Sequence, residues 1–511
     1  METKNISLPS LFFAVLSGLL LFFSFPKYGS GWVAWVALIP LLYIIGGKNL
    51  RASFILGFTT GFIAHIGIMY WIAYVVVQYG YLPFYVGIAA MLLLSAYLSL
   101  YTGLFALGVS YFRDKKVPVI ATAPVLWTVL EYVKSQILTG FPWENLGYSQ
   151  FDILPVIQIS DITGVYGVTF LIVFINALAY DLMTVEAKPS TKALKASFGI
   201  VLMAAVVGYG IYRMDGIKRF VAALPVQPVG LIQGNVDQTV KWNPKFQKQT
   251  MADYAALTTQ SANPRRQLIV WPETAVPFFF QDQDDFHRAI VELAGKTGAW
   301  LLFGSPSYKF VPGGLTLFNS AYLLSPDGRN ITNYDKVHLV PYGEYVPLRQ
   351  WFPFISKLVQ GVGDFGTGKG YIPLSMDGHR IGVLICYEGI FPESGRAYRQ
   401  NGAELLVNIT NDAWFGQTSA PYQHLSMTVF RAVENRLYLI RAANTGISAF
   451  IDPAGKIESR TGLFQKAVLQ GNICFVDKST FYSRCGDVFI YICIFSLAAL
   501  LIITRYRRKT P

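Results

Sequence analysis

Ile381-Gly-Val-Leu-Ile-Cys-Tyr-Glu388 runs apolar for five residues, then delivers a cysteine and an acid, with Gly389 next. A continuous apolar run of that length fits a strand buried on both faces, and the glycine marks a turn directly after it. A cysteine at the end of such a strand is either a small core hydrophobe or a nucleophile, and this segment alone leaves both readings open. The surrounding residues, from about Leu224 to Lys478, keep the same texture of short apolar runs with polar breaks. Candidate strands are Val229–Asn235, Gln267–Trp271, Trp300–Gly304, Asn319–Leu324, Arg380–Cys386, Leu405–Ile409 and Ile447–Ile451. Helices are expected over Phe246–Ser261, Asp284–Thr297, Pro392–Asn401 and Tyr422–Arg436. Strands interleaved with helices predict a layered α/β or α+β domain.

The flanks differ. The chain of 511 residues is 53% hydrophobic and only 14% charged, against about 25% charged in soluble domains. Disorder is excluded by the available apolar surface. The apolar residues crowd into the first 215 positions and the last 25 or so. About eight stretches are long and apolar enough to read as spans: Leu8–Phe25, Trp32–Ile45, Ala52–Val77, Leu82–Phe112, Val117–Leu138, Thr163–Met183, Ala196–Tyr212 and Val488–Thr504. The expected division is therefore seven transmembrane helices in 1–215, a domain outside the membrane at 224–478, and a final helix with a basic tail at 488–511.

Net charge is +12, from 42 Lys+Arg against 30 Asp+Glu. No basic stripe with interleaved aromatics is present, so nucleic acid is not an expected partner. The basic residues instead alternate between loops. With Lys4 inside, the inside loops hold Lys48 and Arg51, then Arg113, Lys115 and Lys116, then Lys188, Lys192 and Lys195, and the tail holds Arg505, Arg507, Arg508 and Lys509. The outside loops before the large domain hold little beyond Lys27. This asymmetry predicts both termini in the cytoplasm and the segment between Tyr212 and Val488 outside. Ionisable residues inside the spans are few, which argues against a transporter. Glu131 and Lys134 lie one helical turn apart and are expected to pair, while His65 and Asp181 read as isolated. The loop Gly140-Phe-Pro-Trp-Glu-Asn-Leu-Gly-Tyr148 reads equally as an interfacial anchor or as a lining for lipid access.

Three further stretches bear on chemistry. Val270-Trp-Pro-Glu-Thr274 ends a strand on a carboxylate, a usual place for a general base. Tyr334-Asp-Lys-Val-His-Leu-Val-Pro-Tyr-Gly-Glu-Tyr-Val-Pro347 combines a lysine, acids, aromatics and prolines in what reads as an ordered loop. Asn408-Ile-Thr-Asn-Asp-Ala-Trp-Phe-Gly416 follows another strand. Cys, Glu and Lys form a sensible set for acyl transfer, because a thiolate attacks a carbonyl, a carboxylate takes the thiol proton, and an ammonium lowers the thiol pKa and stabilises an oxyanion.

Together these motifs resemble the nitrilase (carbon–nitrogen hydrolase) superfamily, and with the spans on either side the whole chain resembles the bacterial apolipoprotein N-acyltransferase family. The resemblance implies a polytopic α-helical membrane bundle carrying an extramembrane αββα sandwich. It implies a triad of Glu273, Lys336 and Cys386. It implies transfer of an acyl chain from a phospholipid, chiefly phosphatidylethanolamine, through a Cys386 thioester to the α-amino group of the N-terminal diacylglyceryl-cysteine of a lipoprotein. By the same resemblance Glu344 and Glu388 are supporting active-site residues, and Asn235 matches a position of less defined role. Glu344 is suited to orient the Lys336 ammonium; Glu388 would share the Cys386 face on a strand but not after a sharp turn. A thioester must be kept from water, and Trp242, Tyr387 and Trp414 are candidates to shield it, with core packing as the alternative for each Trp. The resemblance implies no metal or nucleotide cofactor, and His287, His338, His379 and His424 show no spacing for a zinc site. Cys474 and Cys485 flank the return to the membrane, and their spacing leaves a bridge or two free thiols open; Cys493 reads as packing. The expected site is the bacterial inner membrane with the catalytic domain in the periplasm, and the default state is a monomer. The rival reading is a membrane-tethered nitrilase-type amidase, with water as the acceptor.

Overall fold

A computed structural model describes residues 6–262, 267–311, 314–346 and 364–506. The chain divides into two compact units. One comprises Met1–Tyr74, Pro83–Met214 and Cys485–Pro511; the other comprises Val75–Leu82 and Asp215–Arg484.

The first unit is helical. Five of its described helices are long and apolar enough to cross a membrane: Leu50–Met69, Phe84–Asp114, Val165–Thr184, Pro189–Ala222 and Val488–Tyr506. Leu8–Phe22 is shorter, and Val119–Gln136 carries Pro124 inside it. The expected second span, Trp32–Ile45, is not one helix. It is a 3-10 turn over Gly31–Trp35 followed by a six-residue helix, Ile39–Ile44, and at about 1.5 Å of rise per residue neither piece crosses a bilayer. The expected third span likewise divides into Leu50–Met69 and Trp71–Gln78. Of the basic residues used to orient the chain, Lys4, Arg507, Arg508 and Lys509 lie outside the described residues.

Buried charge in this unit is organised differently from the expectation. The Glu131 carboxylate accepts from Trp127 Nε1 at 2.9 Å, from the Leu146 amide at 2.7 Å and from Thr169 Oγ1 at 2.8 Å. It therefore pins the Gly140–Tyr148 loop rather than serving only its helical neighbour. Lys134 donates to the Trp143 carbonyl at 3.5 Å, within the same loop. Asp181 is not isolated: it pairs with Lys195 at 2.5 Å. His65 Nδ1 lies 3.3 Å from Ser99 Oγ.

The second unit holds two six-stranded sheets. Its strands are β1 Gln227–Gln233, β2 Leu268–Val270, β3 Trp300–Val311, β4 Gly314–Leu324, β5 Ile331–Asp335, β6 Leu374–Met376, β7 His379–Ile385, β8 Leu405–Thr410, β9 Leu439–Ala443, β10 Ala449–Ile451, β11 Ile457–Arg460 and β12 Ala467–Ile473. The first sheet runs β12-β1-β2-β3-β4-β5 and the second β11-β10-β9-β8-β7-β6. Each has a parallel centre, β1-β2-β3 and β7-β8-β9, with antiparallel edges. Because these centres are covered on both faces, their sequences are mostly apolar, with buried Asn408 in β8 and Arg441 in β9 as polar exceptions. The two sheets face each other, β1 toward β9 and β4 toward β7. Gly471 of β12 makes room for the Phe450 ring of β10, since a Cβ there would lie 2.9 Å from it.

Helices cover the outer faces. Alternation sends Ile232, Ile269, Leu301, Phe303 and Tyr322 into one cluster with Met251 and Tyr254 of the helix Pro244–Ser261 and with Ile290 and Leu293 of the helix Asp285–Thr297. The latter begins where the Asp284 side chain accepts the His287 amide at 2.9 Å and ends at Gly298, whose φ of +63° closes it. Helices Pro392–Gln400 and Ala420–Asn435 pack on the second sheet, against β7 and β9. Among the described residues, five of the twelve strands, β5, β6, β9, β11 and β12, fall outside the expected set, while all four expected helices are present. All four cysteines are free, with Cys474 buried and Cys485 exposed.

Candidate active site

Three strand ends supply the site. Glu273 follows β2, Lys336 follows β5, and Cys386 follows β7. All are buried: Glu273 is 6% exposed, Lys336 1% and Cys386 8%. Lys336 Nζ lies 3.9 Å from Glu273 Oε1 and 2.9 Å from Glu344 Oε2. Asn319 of β4 binds both acids, its Nδ2 donating to Glu273 Oε1 at 2.7 Å and to Glu344 Oε1 at 2.9 Å. The second Glu273 oxygen accepts the Asn411 amide at 2.8 Å, and the second Glu344 oxygen accepts the Val340 amide at 2.8 Å. Glu273 and Glu344 are thus fixed before any substrate arrives, and Lys336 sits between them.

The nucleophile candidate stands at a sharp corner. Cys386 has φ +53°, a left-handed conformation that is uncommon for a residue with a side chain. Glu388, fully buried, stabilises the corner. Its Oε2 accepts the Ile385 amide at 2.7 Å, and its Oε1 accepts Tyr334 Oη at 2.7 Å and the amides of Val337 and His338 at 2.8 and 3.1 Å. One carboxylate therefore ties the end of β7 to the segment that begins with Lys336. Burial raises the Glu388 carboxyl to about 7, against the Ile385 amide and the Lys336 charge, which favour ionisation. Beneath the corner, Asn408 Nδ2 donates to the Leu384 carbonyl at 2.9 Å, and His424 Nε2 lies 3.2 Å from the Cys386 carbonyl. His424 Nδ1 and Arg441 reach Asp412 at 3.0 and 2.7 Å. Asp412, His424 and Arg441 are each at most 1% exposed.

The electrostatics fit a nucleophile that is neutral at rest. Burial pushes the Cys386 thiol up, and Glu273 pushes it further, while Lys336 opposes both. Burial would lower the Lys336 ammonium, but Glu344 and Glu273 outweigh it and hold the amine above its ordinary range. An ammonium that stays charged and a carboxylate fixed beside it are what a thiol needs to lose a proton inside a buried site.

The remaining candidates occupy distinct places. Tyr387 is buried, with its ring 5.8 Å from His338 and 5.0 Å from Phe391. Trp242 is 36% exposed. Trp414 packs edge-on against Tyr79 at 5.0 Å, and Tyr79 Oη donates to the Ala413 carbonyl at 2.8 Å. Asn235 has φ +52° and its amide donates to the Asn444 carbonyl at 3.0 Å. Sequence reasoning passed over Asn319, Asn411 and Lys241. The Lys241 Nζ donates to the Glu273 carbonyl at 3.2 Å and to Thr274 Oγ1 at 2.5 Å. Its neighbour Trp242 was a visible signal, but a lysine in a polar loop has no motif to mark it.

Profiles of known families match both parts of the chain. The apolipoprotein N-acyltransferase N-terminal domain matches residues 17–178, and the carbon-nitrogen hydrolase family matches residues 228–477. An apolipoprotein N-acyltransferase from Geobacter metallireducens is 46% identical, over 97% of this chain and 95% of that one. The chain belongs to the apolipoprotein N-acyltransferase family. A second member, from Haemophilus influenzae, is 33% identical over 94% of this chain and 91% of its own. Among solved structures, a carbon-nitrogen hydrolase from Helicobacter pylori is 19% identical with a TM-score of 0.38, covering 49% of this chain and 89% of that chain. The enzyme is therefore an N-acyltransferase of lipoprotein maturation, with a carbon-nitrogen hydrolase domain built on mixed sheets and a set of apolar helices suited to a membrane.

Proposed function

We propose that this N-acyltransferase works through Cys386 in two half-reactions, with Glu273 as base and Lys336 as electrostatic partner. In the first, Glu273 takes the thiol proton and the sulfur attacks an ester carbonyl of a phospholipid, with phosphatidylethanolamine as the chief donor. The tetrahedral oxyanion is stabilised by the Lys336 ammonium. The ester bond breaks, the lysophospholipid alkoxide receives the proton from Glu273, and the acyl chain remains as a thioester. In the second, the α-amino nitrogen of a diacylglyceryl-cysteine attacks the thioester, its proton passes to Glu273, and the C–S bond breaks as the departing sulfur takes that proton back, leaving an amide and the resting thiol.

The observation that carries this reading is the buried assembly of Glu273, Asn319, Glu344 and Lys336, in which one amide side chain binds both carboxylates and the lysine pairs with both acids. A corner residue with φ +53° that is also a cysteine supports the choice of nucleophile. Glu344 orients the ammonium, Glu388 holds the corner, and Tyr387, Trp242 and Trp414 shield the thioester. The family match and the alternation of basic loops support a catalytic domain at about residues 224–478 on the periplasmic side of the inner membrane, with membrane spans on either side of it in the sequence and both termini cytoplasmic. Both substrates are lipid-anchored, which suits that side. A monomer carries every residue the mechanism uses. The test is acyl transfer by purified protein from phosphatidylethanolamine to a diacylglyceryl-cysteine peptide. Cys386→Ala abolishes transfer while the fold persists, because the change removes little volume; transfer retained by that variant contradicts the mechanism.

A further inference from the structure

A second lysine lies in the same buried centre, on the segment between β1 and the helix Pro244–Ser261. Lys241 is 2% exposed. A fully buried ammonium is costly unless it is bonded and charge-balanced, and an apolar side chain would fill the same space without that cost. Its bonds converge on one peptide: the Glu273 carbonyl at 3.2 Å and Thr274 Oγ1 at 2.5 Å. Thr274 has φ +47°, so Lys241 grips a constrained corner directly behind the base. Asn411 is bound into the same assembly. It donates its amide to Glu273 Oε2 at 2.8 Å and its Nδ2 to Gln238 Oε1 at 2.6 Å, three residues before Lys241. The Glu273 side chain is thus held by Asn319 and Asn411, and its main chain by Lys241.

Charge gives the second half of the argument. Both Lys241 acceptors are neutral oxygens, whereas Lys336 is bonded to Glu344. Glu273 and Glu344 carry two negative charges, which Lys336 offsets only in part; a protonated Lys241 supplies the second positive charge, and any ionisation of Glu388, raised by burial to about 7, increases that need. At the tetrahedral stage Glu273 holds the transferred proton and the substrate oxygen carries the negative charge, so the same balance again requires Lys241 to be charged.

We propose that Lys241 is a positioning residue that fixes the main chain of the base and supplies the second positive charge required by the Cys386 thiolate and the oxyanion. The proposal rests on the assignment of Glu273 and Cys386 above. Lys241 touches no reacting atom; it acts through Glu273 and through the field at the sulfur. The charged or titratable groups facing it are Glu273 and Cys386; Cys386 is acted on in turn by Lys336 and Asp412, and Lys336 by Glu344 and Glu388. Burial lowers the Lys241 ammonium to about 8, with Glu273 and Cys386 opposing the shift. The charge is present below that value and lost as pH rises through it.

The experiment measures the rate of acyl-enzyme formation by intact mass. Full-length protein in detergent micelles is mixed with phosphatidylethanolamine, from about pH 6 to about pH 10, for wild type, Lys241→Met and Lys241→Arg. Wild type is expected to slow as pH passes about 8, where Lys241 loses its charge. Lys241→Met is expected to acylate about tenfold more slowly at neutral pH, since one neighbouring charge moves a pKa by about a unit or more, and to lack the alkaline step. Lys241→Arg keeps the neutral rate and loses the step, because a guanidinium stays charged. A Lys241→Met enzyme with the wild-type rate and profile overturns the proposal while leaving Cys386 in place. So does a loss in both variants with the wild-type pH profile unchanged, which marks a purely structural lysine. No adduct on wild type overturns the Cys386 assignment and this proposal with it.

Discussion

Asn319 shows how much of the site is decided by single residues. One Nδ2 group donates to Glu273 and to Glu344, and the Asn319 carbonyl accepts the Lys336 amide at 2.9 Å. Glu273, Lys336 and Glu344 are therefore all registered to one position on β4. A hydrogen bond to a charged group contributes about 1.5–3 kcal/mol, so Asn319→Ala is expected to slow acyl-enzyme formation about ten- to a hundredfold. Stopped mixing with intact-mass detection reads this directly; an unchanged rate contradicts the role. Glu273, Lys336 and Cys386 stood out in the sequence as candidates because each sits in a compact motif, and the structure sets each at the end of a strand. Asn319 was not, because a lone Asn inside a strand gains meaning only from the register that pairs β4 with β5. Lys241 was not, because burial turns an ordinary loop lysine into part of the centre.

Among elements, the strands that read cleanly were those with a run of consecutive apolar residues, such as Val383–Ile385 in β7 and Leu405–Val407 in β8. Strand β9, Leu439-Ile-Arg-Ala-Ala443, hid because Arg441 interrupts its apolar pattern, and β5 hid because Thr332 and Asn333 are exposed. Arg441 is nonetheless fully buried, bonded to Asp412 and Asn408 across the parallel sheet. Burial alone would raise the Asp412 carboxyl, but Arg441 and His424 outweigh it and hold it below the usual carboxylate range. A carboxyl depressed in the folded state stabilises above its unfolded value of 3.8 and loses that contribution as pH falls through the folded value. Thermal melts of wild type are therefore expected to drop as pH falls below about 4. Asp412→Asn leaves Arg441 buried without its partner, is expected to cost about 3–5 kcal/mol at neutral pH, and flattens the acid limb. Equal neutral stability of the two proteins contradicts this account of the packing beneath the Cys386 corner.

Across the whole molecule, composition separated an apolar part from a mixed α/β part, and the structure also divides into a helical unit and a two-sheet unit. The span count was harder to read. Hydropathy does not see the break between Gly31–Trp35 and Ile39–Ile44 or the one after Met69, since local turns keep the same apolar residues. Orientation rests on loop charge, and a reporter fused after Gln260 tests it: periplasmic activity is expected, and cytoplasmic activity contradicts the proposed topology. The central claim is a covalent acyl-enzyme on Cys386. The most direct measurement is the intact mass of the purified protein after incubation with phosphatidylethanolamine. The account predicts an added acyl mass on wild type, absent from Cys386→Ala and released by a diacylglyceryl-cysteine peptide far faster than by water. An adduct that survives in Cys386→Ala, or one that water removes as quickly as the peptide does, would contradict it.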